Sequence, residues 1–391
     1  MTTKPRILVT AAAGKTGTAV TQQLLEKGYP VNAFVRRQDR RSEALAKAGA
    51  KIFVGDFIEP DDLRQAMQGV RRAYFCAPWT PDQLHGAMNF AVSAADARLE
   101  VVVALTQWLA QPRHPSVATR QSYMTDRVFD WIPGVDSVTI NTGWFADNYM
   151  AVMGPISQLG IFPLPLGAGK TAPISSEDIA RVAVGALVNP APHIGKYYRP
   201  TGPVLLDPHQ LAAVYAKVLR RPVKYQDMSQ RMFLKALKVM GITPHMISQL
   251  RHYFEEYRRG AFEAGAPNDV VLEVAGSQPE DFETITRRYV AANPLARRSL
   301  ANKLRVLAEF TKILLTRTPD VEAYERSQNH PLLREPTYGL DYEPWSRAHS
   351  VVNAYGLDSR FNEGHVQTLP KEPNHETCGT SDGQAIWSTR D

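Results

Sequence analysis

The sequence is poor in cysteine, with only Cys76 and Cys378 among its 391 residues. Two cysteines so far apart along the chain cannot build a disulfide framework, which indicates a reducing compartment. The chain also lacks any apolar run long enough to span a bilayer. Its first predicted strand begins so early that no room is left for a signal peptide. We therefore expect a cytoplasmic protein without a transmembrane segment.

Motifs for nucleic-acid binding and for metal binding are also lacking. The formal net charge of +6 suits anionic ligands, and by itself it selects no partner. His375 and Cys378 are two ligand types close together, and two ligands do not make a metal site. We therefore expect no nucleic-acid partner and no metal. The 44% hydrophobic and 21% charged residues are typical of a globular protein with a sizeable core.

The first 150 residues contain short apolar runs that alternate with helical patterns. The predicted strands are 7–9, 30–35, 51–54, 73–76, 101–105 and 137–141. This alternation predicts successive βαβ crossovers and an α/β fold, a doubly wound parallel sheet of the Rossmann type. Ligands of such sheets bind outside the carboxyl ends of the strands, so the residues that end each strand become candidates for a site.

The stretch 6–17, RILVTAAAGKTG, places a loop of small residues between the first strand and the first helix. Bare backbone N–H groups and the positive end of a helix dipole suit a pyrophosphate. Of the three glycines in the usual dinucleotide fingerprint, only Gly14 and Gly17 are present, with Ala11 at the first position. We expect a non-positive φ at Ala11, because it carries a Cβ. The cofactor-binding candidates of this loop are Thr10, Ala12, Gly14, Lys15, Thr16 and Gly17.

Arg36 and Arg37 end the second strand, and no acid precedes them there to hold the ribose of NAD. A guanidinium pairs with the 2′-phosphate of NADP, so we predict NADP(H), the alternative being two solvated arginines. Asp56 follows the third strand as an adenine contact or as a helix N-cap. The other strand ends add Ala77, Pro78 and Thr106 to the cofactor-binding candidates.

The Tyr-x-x-x-Lys pair that reductases of this architecture commonly use is missing, since no lysine occurs between Lys51 and Lys170. Tyr123 and Arg127 share a face of a predicted helix. Two interpretations of Tyr123 stay open: a general acid, or a partly buried structural residue. Candidates for contact with a small-molecule substrate are Gln107, Trp144, Phe145 and Asn148, and the aromatic ones equally suit a core.

Several segments, in this order, resemble the NmrA-like family of atypical short-chain dehydrogenases/reductases: 9–17, 35–37, 55–56, 141–148, 164–170, 174–180, 197–203 and 276–282. The resemblance implies NADP(H) binding, with activities from quinone or azo-dye reduction to redox-sensing regulators without catalysis. It also aligns Tyr123 with the ribose-binding lysine of many relatives. We predict an NADPH-dependent reductase of a small quinone-like, conjugated or carbonyl acceptor. The alternative is a catalytically silent NADP(H)-sensing regulator that acts through a protein partner.

The predicted division gives an NADP-binding core at 1–158, to which 172–205 returns, and a substrate lobe at 159–299 with a strand at 204–206. Ser175 and Asp178 are interpreted as a capping box. A helical extension follows at 300–365, and a polar, poorly ordered tail at 366–391. The extension opens with a basic amphipathic helix from Leu300 to Leu314, which suits a membrane surface, a second subunit of a homodimer, or packing on its own domain.

Overall fold

The computed structural model describes residues 4–350 and a two-residue strand at Leu357–Asp358. The predicted tail 366–391, with His375 and Cys378, lies outside the described residues. The strands are β1 Arg6–Val9, β2 Val31–Val35, β3 Lys51–Val54, β4 Val70–Cys76, β5 Val101–Gln107, β6 Asp136–Thr142, β7 Ile161–Leu164, β8 Lys196–Tyr198, β9 Lys224–Asp227 and β10 Leu357–Asp358.

Fifteen α-helices occur in the described part of the chain. They are α1 Lys15–Glu26, α2 Arg40–Lys47, α3 Pro60–Met67, α4 Gln83–Asp96, α5 Val117–Asp130, α6 Met153–Leu159, α7 Ser176–Val188, α8 Pro208–Leu219, α9 Gln230–Val239, α10 Pro244–Arg258, α11 Val270–Ala275, α12 Phe282–Ala292, α13 Leu300–Leu315, α14 Val321–Ser327 and α15 Glu343–Ala348.

The main sheet has the order β10-β8-β6-β5-β4-β1-β2-β3. Seven of its strands run parallel, and β10 joins the edge antiparallel to β8. Ile7, Leu8 and Val9 are fully buried because helices cover both faces of the sheet. The strand order reverses between β1 and β4, and a ligand crevice is expected there. The predicted doubly wound fold is confirmed.

A second apolar cluster lies outside this sheet. It joins Trp108 and Trp144 from the sheet side to Phe162 of β7, Tyr215 of α8 and Tyr257 of α10. The strands β7 and β9 form a separate two-stranded parallel sheet beside this cluster. The cluster thus packs the later helices against the loops that follow β5 and β6, which fixes their position relative to the sheet.

The predicted strand at 204–206 is wrong. Only Leu206 forms a bridge, with Thr171, while Val204 is exposed. Pro203 has no N–H to contribute to a ladder, so this segment cannot extend the pairing. Ser175 does cap α7 by accepting from the backbone N–H of Asp178.

Asp178 does not complete the predicted capping box, because its carboxylate accepts from the N–H of Glu280 and pairs with Arg181.

Residues near the end of the described segment 4–350 pack on the rest of the protein. Trp345 of α15 donates its indole N–H to the carbonyl of Trp108 at 3.0 Å. The imidazole of His349 lies 3.1 Å from the same oxygen. The C-terminal part of the described chain is therefore anchored behind β5.

Candidate active site

A cleft of about 470 Å³ opens at the carboxyl ends of the central strands. One of its walls comes from the sheet and the loops that follow its strands, and we call it the strand-end wall. It includes Lys15, Thr16, Cys76, Ala77, Thr106, Gln107, Phe145, Asp147 and Asn148. The opposite wall, which we call the helical wall, consists of α9, α10 and the turn between them. Its residues are Phe233, Leu237, Met240, Ile242, Met246, Leu250, Tyr253 and Phe254.

The glycine loop between β1 and α1 leaves room for a ligand against its backbone. A Cβ at Gly17 would lie 2.3 Å from the carbonyl oxygen of Ala11, so the loop and helix approach closely only because Gly17 has no side chain. The N-cap of α1, Gly14, makes no side-chain capping bond. The first N–H groups of α1 therefore suit an anion. This loop fits the pyrophosphate of a dinucleotide.

The expectation of a non-positive φ at Ala11 is wrong. Ala11 has φ +46°, in the left-handed region that the fingerprint glycine would occupy. The N–H of Gly14 donates to the carbonyl of Ala11 at 2.7 Å, and the N–H of Ala12 donates to Phe34 at 3.1 Å. These bonds hold the turn, so alanine adopts the glycine conformation here at a cost of about 1–2 kcal/mol.

Lys15, the first residue of α1, forms an ion pair with Asp147, and both residues line the cleft. The Nζ of Lys15 lies 3.4 Å from Oδ2 of Asp147, whose side chain is fully buried while that of Lys15 is 59% exposed. Ser176 donates to the same carboxylate oxygen at 3.0 Å. Asp147 therefore holds the lysine beside the glycine loop. Sequence reasoning did not select Asp147 as a site residue, although it lies in the segment 141–148 that carried the family resemblance.

Arg36 is exposed at the end of β2 and forms no ion pair with any described residue. Arg37 lies 3.9 Å from Asp39, which also pairs with Arg41 and caps α2. The hydrogen bond from Arg41 holds the pKa of Asp39 at about 2, so this acid stays ionised and remains available to pair with Arg37 and Arg41. Arg36 is thus the free guanidinium of the pair, at the place where a 2′-phosphate is expected.

Other predicted cofactor residues have structural partners. The hydroxyl of Thr10 accepts from the N–H of Cys76 at 2.9 Å and ties β1 to β4, while Ala12 is buried in the core. Asp56 accepts from the N–H of Ile58 at 3.2 Å in a turn. The N-cap of α3 is Glu59, so the alternative that Asp56 is a helix N-cap is wrong. Pro78 is exposed beside the cleft without lining it.

Thr106 belongs to a chain of three polar side chains at the end of β5 and β6. The amide nitrogen of Asn141 donates to the hydroxyl of Thr106 at 2.6 Å and to Oδ2 of Asp126 at 3.1 Å. Burial raises the pKa of Asp126 to about 7, against the hydrogen bonds of Thr106 and Asn141 that lower it. Thr106 also lines the cleft, so this chain connects the cleft to a buried carboxyl group.

Tyr123 does not line the cleft. On α5 it is Ser122 and Thr125 that face the cleft, whereas Tyr123 lines a second cavity of about 80 Å³. There its ring stacks with the guanidinium of Arg127, whose Cζ lies 5.5 Å from the ring centroid. Side chains at neighbouring helix positions point to different faces, so Tyr123 and Thr125 cannot both face the same ligand. The structure thus gives Tyr123 no position from which to protonate a substrate in the cleft.

Gln107 is buried with its Oε1 accepting from Thr119 at 3.0 Å, and its amide nitrogen has no partner among the described residues. The indole nitrogen of Trp144 is equally without a partner in the described structure. Both side chains line the cleft with Phe145 and Asn148, so the structure brings all four predicted substrate contacts together.

Cys76 also lines the cleft. Burial raises the pKa of its thiol to about 11, which makes it a poor nucleophile.

Comparison with known proteins adds independent support for the cofactor. Residues 11–190 match a family described as NAD(P)H-binding. The chain is similar to an NAD(P)H azoreductase of Xenophilus azovorans, with 28% identity over 295 residues, which are 73% of this chain and 98% of that protein. The family match confirms the predicted nicotinamide dinucleotide cofactor.

Solved structures show the same fold. A quinone oxidoreductase of Escherichia coli in complex with NADPH has a TM-score of 0.63 and 23% identity, over 72% of this chain and 99% of that one. NmrA, a negative transcriptional regulator in complex with NADP, has a TM-score of 0.61 and 15% identity, over 73% and 95% of the two chains. These matches leave about a quarter of the present chain uncovered.

Proposed function

We propose that this chain belongs to the NmrA-like family of atypical short-chain dehydrogenases/reductases and is an NADPH-dependent reductase of small quinone-like or otherwise conjugated acceptors. The observation that carries the proposal is the pairing of the two walls in one cleft. The strand-end wall supplies a dinucleotide loop and hydrogen-bonding groups, and the helical wall supplies apolar and aromatic side chains. A flat, conjugated molecule matches the second wall, and the cofactor matches the first.

The residues that would hold the cofactor lie along the strand-end wall and, for the 2′-phosphate, just beyond it at the end of β2. The N–H groups that open α1, with Lys15, would bind the pyrophosphate, and Arg36 would bind the 2′-phosphate of NADPH. When bound, NADPH supplies a hydride to the acceptor. The similarity to an azoreductase and to a quinone oxidoreductase supports such acceptors.

The missing Tyr–Lys pair fits acceptors of this kind. A quinone or an azo compound spreads the negative charge it gains over a conjugated system, so it demands less proton donation than a simple ketone. Thr106 is the hydroxyl placed to serve the acceptor oxygen, and Asp126 stands behind it through Asn141. With a pKa of about 7, Asp126 holds a proton in a substantial fraction of molecules at neutral pH. Because the Asn141 amide donates to both groups, Asp126 acts on Thr106 by orienting that amide, which leaves the hydroxyl hydrogen of Thr106 free for the acceptor.

Two measurements test this proposal. The full chain is assayed for NADPH oxidation with menadione, an azo dye and a simple ketone such as cyclohexanone, and we expect turnover of the first two well above the third. Thr106→Val should lower kcat with each accepted substrate by about tenfold or more, since it removes a hydrogen-bond donor at the acceptor. The matched control is Thr139→Val in the same sheet, whose hydroxyl is buried without a partner in the described structure.

Three results would contradict the proposal. Tight NADPH binding without turnover on any acceptor would favour the silent regulator instead. Faster turnover of the ketone than of the quinone would contradict the acceptor class. Equal kcat for Thr106→Val and Thr139→Val would remove Thr106 from the chemistry and leave acceptor position alone to explain the rate.

A further inference from the structure

The helix α13 presents a row of leucines to solvent. Leu300, Leu304, Leu307, Leu314 and Leu315 are all exposed, from 43% for Leu307 to 83% for Leu315. We call these five residues the leucine face. Five large aliphatic side chains on one short helix form a contiguous apolar patch, which in a folded protein indicates an interaction surface.

The leucine face is distinct from the face that holds α13 to the protein. Val306 is the buried residue of this helix, and Phe310 and Ile313 are half-buried beside it. At 3.6 residues per turn, the centre of the leucine face lies about 120° around the helix from this buried stripe. Packing on the rest of the protein therefore occupies one stripe of the helix and leaves the leucine face exposed.

The segment that carries the leucine face is basic, and of its cations Arg305 pairs with Glu309. Between residues 297 and 317 there are six basic residues and one acid, Glu309; the basic ones are Arg297, Arg298, Lys303, Arg305, Lys312 and Arg317. Helix α9, which packs against α13, adds Lys235, whose Nζ donates to the carbonyl of Leu314 at 3.1 Å. An apolar face bordered by lysine and arginine is typical of a helix that lies in the interface of an anionic membrane.

We propose that α13 docks the protein on the surface of an anionic lipid bilayer, with the leucine face in the acyl region and the basic residues at the headgroups. No helix in the described part of the chain is long and apolar enough to cross a membrane, so the contact is peripheral. Each lysine or arginine near an anionic surface strengthens binding about fivefold, and each leucine adds apolar burial.

Charge decides between the bilayer and a second copy of this chain. A two-fold homodimer through the leucine face would bring the same basic residues of both copies together, and like charges in one interface oppose association. An anionic bilayer offers the opposite charge over a flat area. The bilayer is therefore the occupant that the charges favour.

The test is co-sedimentation of the full chain with vesicles of phosphatidylcholine alone or of phosphatidylcholine and phosphatidylglycerol at equal weight. We expect binding to the anionic vesicles that weakens as salt is raised, and little binding to neutral ones. Replacing Leu304, Leu307 and Leu314 together by glutamine should reduce anionic-vesicle binding by about tenfold or more. Lys303→Gln with Lys312→Gln should reduce it by about fivefold for each charge.

A matched triple variant controls for loss of exposed apolar surface in general. Met88, Val92 and Met124 are also exposed, on α4 and α5 of the sheet domain, and their replacement by glutamine should leave vesicle binding unchanged. Helix content from circular dichroism shows whether each variant is folded. Absence of wild-type binding to anionic vesicles, or equal binding to neutral ones, would overturn the proposal. So would a wild-type dimer that the leucine variant converts to a monomer, which would assign the face to a second copy.

Discussion

The two walls of the cleft differ in chemistry and in origin. The strand-end wall comes from β1, β4, β5 and β6 and carries charged and hydrogen-bonding groups. The helical wall comes from residues 230–258, which begin 88 residues after the end of β6 at Thr142, and it offers almost only apolar and aromatic side chains. Strand ends of a parallel sheet meet at one edge whatever else the chain does, whereas helices reach that edge only by packing. The first wall is therefore set by the topology of the sheet and the second by the tertiary structure.

The largest effect on NADPH affinity should come from a substitution at Gly17, beside the strand-end wall. In Gly17→Ala the added Cβ would lie 2.3 Å from the carbonyl oxygen of Ala11, so the loop and α1 must separate. A displacement of about 1 Å at a binding site can cost about 10²-fold, and we expect at least this loss of NADPH affinity by fluorescence titration. Gln22→Ala, at an exposed position of the same helix, is the control. Unchanged affinity in a folded Gly17→Ala variant would show that the loop does not hold the phosphates.

Arg36→Ala tests the cofactor side of the site just beyond the strand-end wall, at the end of β2. Only NADPH carries the 2′-phosphate, so the variant should bind NADPH more weakly and NADH as before. A hydrogen bond to a charged group contributes about 1.5–3 kcal/mol, which corresponds to about one to two decades in affinity. The matched control is Arg40→Ala, an exposed arginine at the start of α2. A loss of the same size for both cofactors would contradict the NADP assignment of Arg36.

The difference between the walls also explains what the sequence could predict. The glycine loop and the predicted substrate contacts Gln107, Trp144, Phe145 and Asn148 could be identified because each lies at, or just after, the end of a buried strand. Phe233 and Leu237 have the spacing of an apolar helical stripe, and this spacing serves a core and a ligand wall equally, so the pattern alone does not identify them as site residues. Ala11 departed from expectation because neighbouring backbone bonds impose a positive φ that a propensity argument cannot foresee.

Tyr123 shows a second reason why site residues cannot all be identified from the sequence. An i, i+4 pair identifies residues on one helix face, and it does not tell which way that face points. The rotation of α5 directs Thr125 to the cleft and Tyr123 to the smaller cavity. Asp147 was missed for a different reason. Its burial and its contact with Lys15 depend on the packing of the 3₁₀ helix Ala146–Val152, which has no local signature.

A smaller effect is expected from the buried carboxyl group behind the strand-end wall. The pKa of Asp126 is about 7 in the folded protein and about 3.8 in the unfolded chain, so the folded state binds the extra proton between these values. Stability should therefore fall as pH rises from about 4 to about 7, by at most about 4 kcal/mol. Asp126→Asn abolishes this titration, so its melting temperature should exceed that of the wild type at pH 8 and match it near pH 4. The exposed Asp136→Asn is the control, and identical pH dependence of wild type and Asp126→Asn would contradict the assignment.

The division of the cleft into a cofactor wall and an acceptor wall is tested most directly by one pair of variants under two-substrate steady-state kinetics. Lys15→Met changes the strand-end wall, and Met240→Gln changes a half-exposed position of the helical wall. With menadione as acceptor, we expect Lys15→Met to raise the KM for NADPH about tenfold or more with the KM for menadione little changed. Met240→Gln should do the reverse, raising the KM for menadione by roughly fivefold. If both variants raise both KM values equally, or if the pattern is exchanged, the two walls do not have the separate roles given to them here.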